Sequence, residues 1–272
     1  MTLSKKDKKG IVLIAVAVVA LFAMVIANFA AGNKPKPGAD LCLGTVTRNT
    51  VLLLDYSEEI SDQTLDEIKA RALSYIDKKV TVGERVTIFT VSELSKSSLR
   101  PLVSVCKPAE DGSRLTEDVR HIKKRYRSQF LAPLSEALSR RPTASKESPI
   151  AQALTDISLT QYLRGEQNAL LVFSDMLENT DRFSLYKCQS SDQSIPRYRA
   201  SRTGAMERPQ FKNTNVQLHL IPREGGTHTM LQCRDRLWAW FFGDGEGSSA
   251  QLDISYLPGG TPNVNRNVTS ND

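Results

Sequence analysis

Three oxygen-bearing side chains stand at alternate positions just past an apolar run: Asp55, Ser57 and Glu59 follow Val51-Leu52-Leu53-Leu54. A second apolar run, Ala169 to Phe173, ends in the polar pair Ser174-Asp175, and between the two lies Ser148-Pro149-Ile150. Carboxylates and hydroxyls are hard donors, so if they converge they suit Mg²⁺, with Ca²⁺ as the alternative, rather than zinc or copper. Other metal chemistry lacks its residues. His121, His219 and His228 stand in unlike contexts, and the four cysteines contain no C-x-x-C pair. No nucleophile elbow and no Gly-rich phosphate loop is present. A non-enzymatic role is therefore expected, and a metal-dependent hydrolase at the acidic residues ranks last. Each residue also has a plainer role open to it: Ser148 as a helix N-cap, Asp55 as a turn cap, Glu59 as a solvated charge.

The elements that must position these residues are legible as periodicity. Val51 to Leu54 and Ala169 to Phe173 are unbroken apolar runs, the pattern of strands covered on both faces of a parallel sheet. After the first, Thr64-x-x-Glu67 reads as a capping box, and Leu65, Ile68, Ala72, Tyr75, Ile76 and Val80 mark a helix face. Arg85 to Val91 and Pro101 to Cys106 are strands whose connection is too short for a crossover helix, so they should be antiparallel neighbours. Val119, Ile122, Tyr126 and Phe130 keep helical spacing, with Pro133 as a kink or break. That helix carries Arg120, Lys123, Lys124, Arg125 and Arg127, read as a solvated face, with an acidic partner, a membrane surface or phosphates as alternatives.

Ile150, Ala153, Leu154 and Ile157 form the next helical stripe, with Ser148 and Pro149 as N-cap and first position. Val216, Leu218 and Leu220 alternate as a strand. Met230, Leu237, Trp238 and Phe241 share a helix face that stops at Gly243, and Leu252, Ile254 and Tyr256 form an edge strand. The expectation is an α/β fold: a doubly wound, mostly parallel sheet with helices on both faces. Its crevice should lie at the carboxyl ends of the strands where strand order reverses, flanked by Asp55 and Asp175. The long polar segment 178–215 reads as an insertion at that same edge. Its Arg197, Arg199 and Arg202 are candidate partner-binding residues, since a guanidinium grips carboxylates in pairs.

The 272 residues allow one substantial domain plus an anchor. A net charge of +6 permits acidic partners without demanding nucleic acid. Ile11 to Ala31 is an apolar run, with Asn28 its one polar residue, preceded by Lys5, Lys6, Lys8 and Lys9. It is expected to be a single transmembrane helix, with residues 1–10 cytoplasmic and the rest exported, most simply from a bacterial inner membrane into the periplasm. A signal peptide is the competing reading. Residues 32–46 then form a linker stiffened by Pro35 and Pro37, residues 47–257 the domain, and residues 258–272 a disordered tail. Export makes disulfides expected. Cys42 precedes the first strand, and Cys106 ends a strand antiparallel to its neighbour, which brings both to one edge of the sheet. Cys188 and Cys233 both follow parallel strands, towards the opposite edge. Of the three connectivities, Cys42–Cys106 with Cys188–Cys233 is expected.

The pattern resembles the von Willebrand factor A domain family, related to integrin I domains. In that family a doubly wound sheet carries a metal-ion-dependent adhesion site built from Asp-x-Ser-x-Ser, a separate Thr and a later Asp. Asp55-x-Ser57-x-Glu59 stands for the first element, Ser148 in Ser-Pro-Ile-Ala-Gln-Ala-Leu for the Thr, and Asp175 in Leu-Val-Phe-Ser-Asp for the strand-end Asp. Two residues depart from the pattern: Glu59 replaces the second Ser, and Met176 replaces a Gly often found after the last Asp. Three carboxylates would neutralise a divalent ion fully and leave it less field with which to attract a partner carboxylate. The resemblance implies a membrane-anchored binding or assembly module whose partner is a protein of an envelope complex. A nucleic-acid-contacting part of a DNA-transfer apparatus is the alternative.

Overall fold

A computed structural model describes residues 5–32, 38–91, 100–112, 118–140, 145–223, 225–243 and 252–258. The chain divides into two compact units, Met1–Gly38 and Ala39–Asp272. The first contains helix α1, Lys5–Gly32. Side chains described along it between Leu13 and Ile26 are exposed, Leu13 at 71% and Phe22 at 67%. Among the described residues no helix is long and apolar enough to cross a membrane. The tail expected from 258 onward lies, past Pro258, outside the described residues, as do parts of the linker and of two polar connections.

The second unit is an α/β sandwich of three layers. Strands β1 (Arg48–Leu54), β2 (Arg85–Thr90), β3 (Val103–Cys106), β4 (Gln167–Ser174), β5 (Thr214–Leu220) and β6 (Leu252–Tyr256) form one sheet in the order β3-β2-β1-β4-β5-β6. Every adjacent pair is parallel except β2 and β3, which run antiparallel as their short connection requires. Strand order reverses between β1 and β4, and their register sets Leu54 opposite Phe173.

Alternate side chains feed two cores, one on each face of the sheet. Leu52, Leu54, Ile88 and Phe173 pack against α2 (Asp62–Lys79) and the helical segment 119–139. Val51, Leu53, Leu170 and Val172 pack against α5 (Ile150–Leu159), α6 (Ser191–Ser201) and α7 (His228–Phe242). This double coverage is why β1 and β4 read as continuous apolar runs rather than alternating ones.

Four local expectations need correction. The N-cap of α2 is Ser61, whose hydroxyl accepts from the Thr64 amide, so the capping residue lies three positions earlier than a Thr64–Glu67 box would place it. Thr64 is fully buried, and Glu67 pairs along the helix with Arg71. Pro133 breaks nothing. Helix α3 (Val119–Arg125) widens into a π-helical turn, Tyr126–Leu131, and continues as α4 (Ala132–Ser139) with the proline in its first turn. A wider turn absorbs the missing amide donor that would interrupt a regular helix. Segment 178–215, read as a polar, poorly periodic insertion, carries a regular helix: α6 crosses from β4 towards β5 and packs on α7. Its sequence hid the helix: only Ser194 and Tyr198 are buried, and Pro196 sits inside it. Finally, the hydroxyl of Ser148 does not cap α5; that helix begins after Pro149 without a side-chain cap there.

Candidate functional site

The crevice is built where β1 and β4 end side by side. The Asp55 amide donates to the Phe173 carbonyl at 2.9 Å, and the Ile221 amide to the Ser174 carbonyl at 2.9 Å, so three strand ends are stitched at one level. Asp55 lies at the centre, buried. Its Oδ1 accepts from the Ser57 amide at 3.1 Å, and its Oδ2 accepts from the hydroxyls of Ser148 at 3.1 Å and Ser174 at 2.7 Å. Ser148 is held in place by a two-way backbone bridge with Asn179. Asp55, Ser57, Ser148 and Asp175 are all at most 5% exposed, and each sits in this crevice. Glu59 is exposed, unlike those four. Glu58, its neighbour, takes part instead.

Asp175 sits in a tight turn. Its Oδ1 accepts from the Leu177 amide at 2.9 Å, and its backbone carbonyl accepts from Arg234 Nη1 at 3.4 Å. Met176 follows with φ of 58° and its side chain buried, and its carbonyl accepts from Trp238 Nε1 at 2.6 Å. A left-handed backbone is where glycine is least costly, which accounts for the residue type the resemblance places here. In this chain the cost, about 1 kcal/mol or more, is offset by a buried Met and by the grip of α7.

Arg223, three residues past β5, supplies the positive charge. Its Nε lies 2.5 Å from Asp175 Oδ2 and its Nη1 2.8 Å from Glu58 Oε2, with the arginine side chain only 10% exposed. The Nη1 contact is an ion contact without hydrogen-bond alignment, since that atom has no hydrogen-bond partner. The other oxygen of Glu58 accepts from the hydroxyl of Tyr186 at 2.5 Å. Burial, then the neighbouring Asp55 carboxylate, push the Asp175 carboxyl up to about 6 against the pull of Arg223. Burial and the hydrogen bond to Glu58 raise the Tyr186 phenol.

Glu178 takes the role expected of Ser148. Its Oε2 accepts from the Ala151 amide at 2.8 Å, in the first turn of α5, where orphan amides and the helix dipole favour a carboxylate. Burial nonetheless pushes its carboxyl up to about 8; the Ala151 bond holds it down and Asp55 adds to the rise.

No protein-family model matches the chain, and no curated protein does. Among solved structures, a mutant of the PilB minor pilin from Streptococcus sanguinis is 12% identical at a TM-score of 0.40, over 80% of this chain and 58% of the pilin. The human COPII-coat protein Sec24c is 12% identical at a TM-score of 0.35, over 82% of this chain and 30% of its own. At such scores neither likeness bears on function.

Among the described residues no group of three or more His, Cys, Asp or Glu side chains is placed to hold a metal ion. The donor chemistry around Asp55 suits a divalent ion, and in this structure those donors are engaged with groups of the chain itself. Both Asp55 oxygens already accept hydrogen bonds, Asp175 is paired to Arg223, and Glu59 is exposed. The insertion arginines are internally engaged: Arg197 with the Lys187 carbonyl, Arg199 with Glu207, and Arg202 with Gln152 and the Met206 carbonyl. Cavities of about 400 Å³ beside Ile76 and Tyr126 and about 500 Å³ over Lys123 and Arg127 lie away from the crevice.

Both disulfides connect as the strand order demands: Cys42 to Cys106 and Cys188 to Cys233. The second ties the segment bearing Tyr186 to α7, the helix that holds the Asp175 turn. Glu58, Arg223, Tyr186 and Glu178 were missed by sequence reasoning, and Ser174 was noted only as a strand-end polar residue. A strand-end Ser-Asp pair and an Arg just past the next strand were the available signals, and neither names its partner.

Proposed function

We propose that the chain is a membrane-anchored, non-catalytic binding or assembly module of the von Willebrand factor A type, exposing its α/β domain outside the cytoplasm to a protein of an envelope complex. One observation carries the reading. Side chains from four separate segments meet at the reversal point of the sheet, where open α/β sheets bind their ligands. The anchor is the apolar run of α1, whose described side chains are apolar all round and exposed, a pattern that suits lipid. Two disulfides support an oxidising compartment. Fold by itself does not assign a partner. The test is capture of full-length protein from detergent-solubilised membranes, wild type against Ser148→Ala. A partner retained by wild type and lost by the variant supports recognition at the crevice; equal capture places the contact on another face.

A second reading adds Mg²⁺, or Ca²⁺, held by Asp55, Ser57, Ser148 and Asp175. The hardness of these donors favours it. When bound, such an ion would supply a positive field at the mouth of the crevice, and Arg223 would have to leave Asp175 to admit it. Stabilisation by added Mg²⁺ separates the two readings.

A further inference from the structure

We infer that Arg223 is the resident cation of the crevice, a tethered charge that does for Asp175 and Glu58 what a bound divalent ion would otherwise do. A guanidinium stays charged at any pH the protein meets, and its planar fork can serve two carboxylates at once. Arg223 does so, reaching Asp175 through Nε and Glu58 through Nη1. Because it belongs to the chain, its position is fixed by folding rather than by a free concentration. The neighbouring acid is already engaged. Asp55 accepts one amide and two hydroxyl hydrogen bonds, so both its oxygens have partners within the chain.

The consequence reaches the rim. Glu58 spans Arg223 and Tyr186, so the buried charge fixes an aromatic ring that is itself 46% exposed. A pre-positioned exposed tyrosine is the kind of side chain that anchors protein contacts. Granting the proposed recognition role of the crevice, on which this last step rests, the partner meets Tyr186 and its neighbours. It does not meet an electrophilic ion that would seek a carboxylate.

The experiment uses the full-length protein in detergent and two independent readouts. Metal analysis after purification and thermal unfolding in EDTA or about 10 mM MgCl₂ or CaCl₂ test the cation. No stoichiometric ion and a melting temperature indifferent to all three additions are expected. Arg223→Met should lower that temperature by several degrees, with Asp175→Asn added to it restoring part of the loss, because the stranded carboxylate is then removed. If Arg223→Met does not fold, Glu58→Gln, at a half-exposed site, is expected to fold and to remain indifferent to Mg²⁺. About one equivalent of retained Mg²⁺ or Ca²⁺ in wild type, or a clear rise of its melting temperature on adding either, overturns the assignment. Partner capture by Tyr186→Ala is read separately. Metal indifference with unchanged capture refutes the recognition role and leaves the Arg223 assignment standing.

Discussion

The two ends of the sheet bury comparable amounts of polarity and treat it in opposite ways. At the amino ends of the strands, buried charges are held mainly by backbone groups and neutral side chains, and the ion pairs there, Arg48–Glu84 at 3.4 Å and Arg85–Asp40 at 3.8 Å, are long. Lys107 Nζ donates to the carbonyls of Ile76, Asp77 and Val80 at 3.0 to 3.1 Å, which closes the carboxyl end of α2. Glu84 accepts from the Thr50 hydroxyl and from the amide and hydroxyl of Thr81, and Asn168 ties the carbonyls of Leu163, Gly165 and Asn213. Gly165 has no room for a side chain: an added Cβ would come within 2.6 Å of the Thr47 carbonyl. At the carboxyl ends, by contrast, the ion pairs are short and run through the buried Arg223, and Glu58 and its hydrogen-bond partner Tyr186 remain half exposed. A carbonyl held by a lysine has no second state to offer. A carboxylate shared between an arginine and an exposed tyrosine does, and on the proposed function recognition belongs to that end and structural closure to the other.

The most severe way to probe the contrast is to open one disulfide at each end. Cys42–Cys106 closes 64 residues at the amino end and Cys188–Cys233 closes 45 near the crevice. Chain-entropy arguments give about 4 kcal/mol for each. Replacing either pair by Ser should therefore lower stability in urea by similar amounts. Only loss of Cys188–Cys233, which frees the Tyr186 segment from α7, should also weaken partner capture. Equal effects on capture would erase the distinction between the ends.

Lys107→Met comes next. It leaves three carbonyls without their donor and should cost about 3 kcal/mol in equilibrium unfolding, with capture intact in the protein that remains folded. A loss below about 0.5 kcal/mol would mean that water replaces the ammonium and that the amino end is less closed than its hydrogen bonds indicate.

How far such contrasts could be anticipated depends on whether a residue's role is periodic or relational. Strands β1, β4 and β5, the stripes of α5 and α7, the antiparallel β2–β3 pair and both disulfides follow from spacing, because burial on a sheet face or helix face repeats along the chain. Asp55, Ser148 and Asp175 were legible because strand ends mark the crevice. Glu58 and Glu59 are indistinguishable in sequence, and only the turn after β1 decides which one faces Arg223. Glu178 and Ser148 could each have capped α5; the fold gives the hydroxyl to Asp55 and the amide to Glu178. Helix α6 was hidden because its buried positions are a serine and a tyrosine.

Glu178 offers a subtler test through pH. Its carboxyl is raised in the folded protein from 4.5 to about 8. The folded state therefore holds the proton more tightly than the unfolded chain does. The stability this contributes is fully present below about pH 4.5 and is lost as pH rises through about 8. Asp175, raised from 3.8 to about 6, acts in the same sense at lower pH. Glu178→Gln keeps an acceptor for Ala151 and removes the ionisation. Wild type should lose on the order of 2 kcal/mol between pH 5 and pH 8.5, less than the full shift would give because relaxation and entering water soften burial. The variant should lose distinctly less, measured by urea unfolding at both pH values. Parallel pH profiles would assign the carboxyl an ordinary titration.

The smallest effect is expected on the basic face of α3 and the π-helical turn after it, where Arg120, Lys123, Lys124 and Arg127 are exposed. Lys123 lies 3.9 Å from the exposed Asp111, a contact of little energetic weight. Changing all four to Gln should shift stability by no more than about 1 kcal/mol, and it should leave protein capture at the crevice unaltered. The same variant also addresses the nucleic-acid alternative. Contacts to phosphates release counterions, so binding to single- or double-stranded DNA would fall steeply between low and physiological salt, and four fewer cations would flatten that slope by roughly three to four. Wild type is expected to bind DNA no more tightly than the variant at low salt and with the same salt slope. A steep slope in wild type that the variant flattens would move the functional surface from the crevice to α3. The paired side chains around Arg223 would then be structural after all, and the two ends of the sheet would differ in chemistry without differing in purpose.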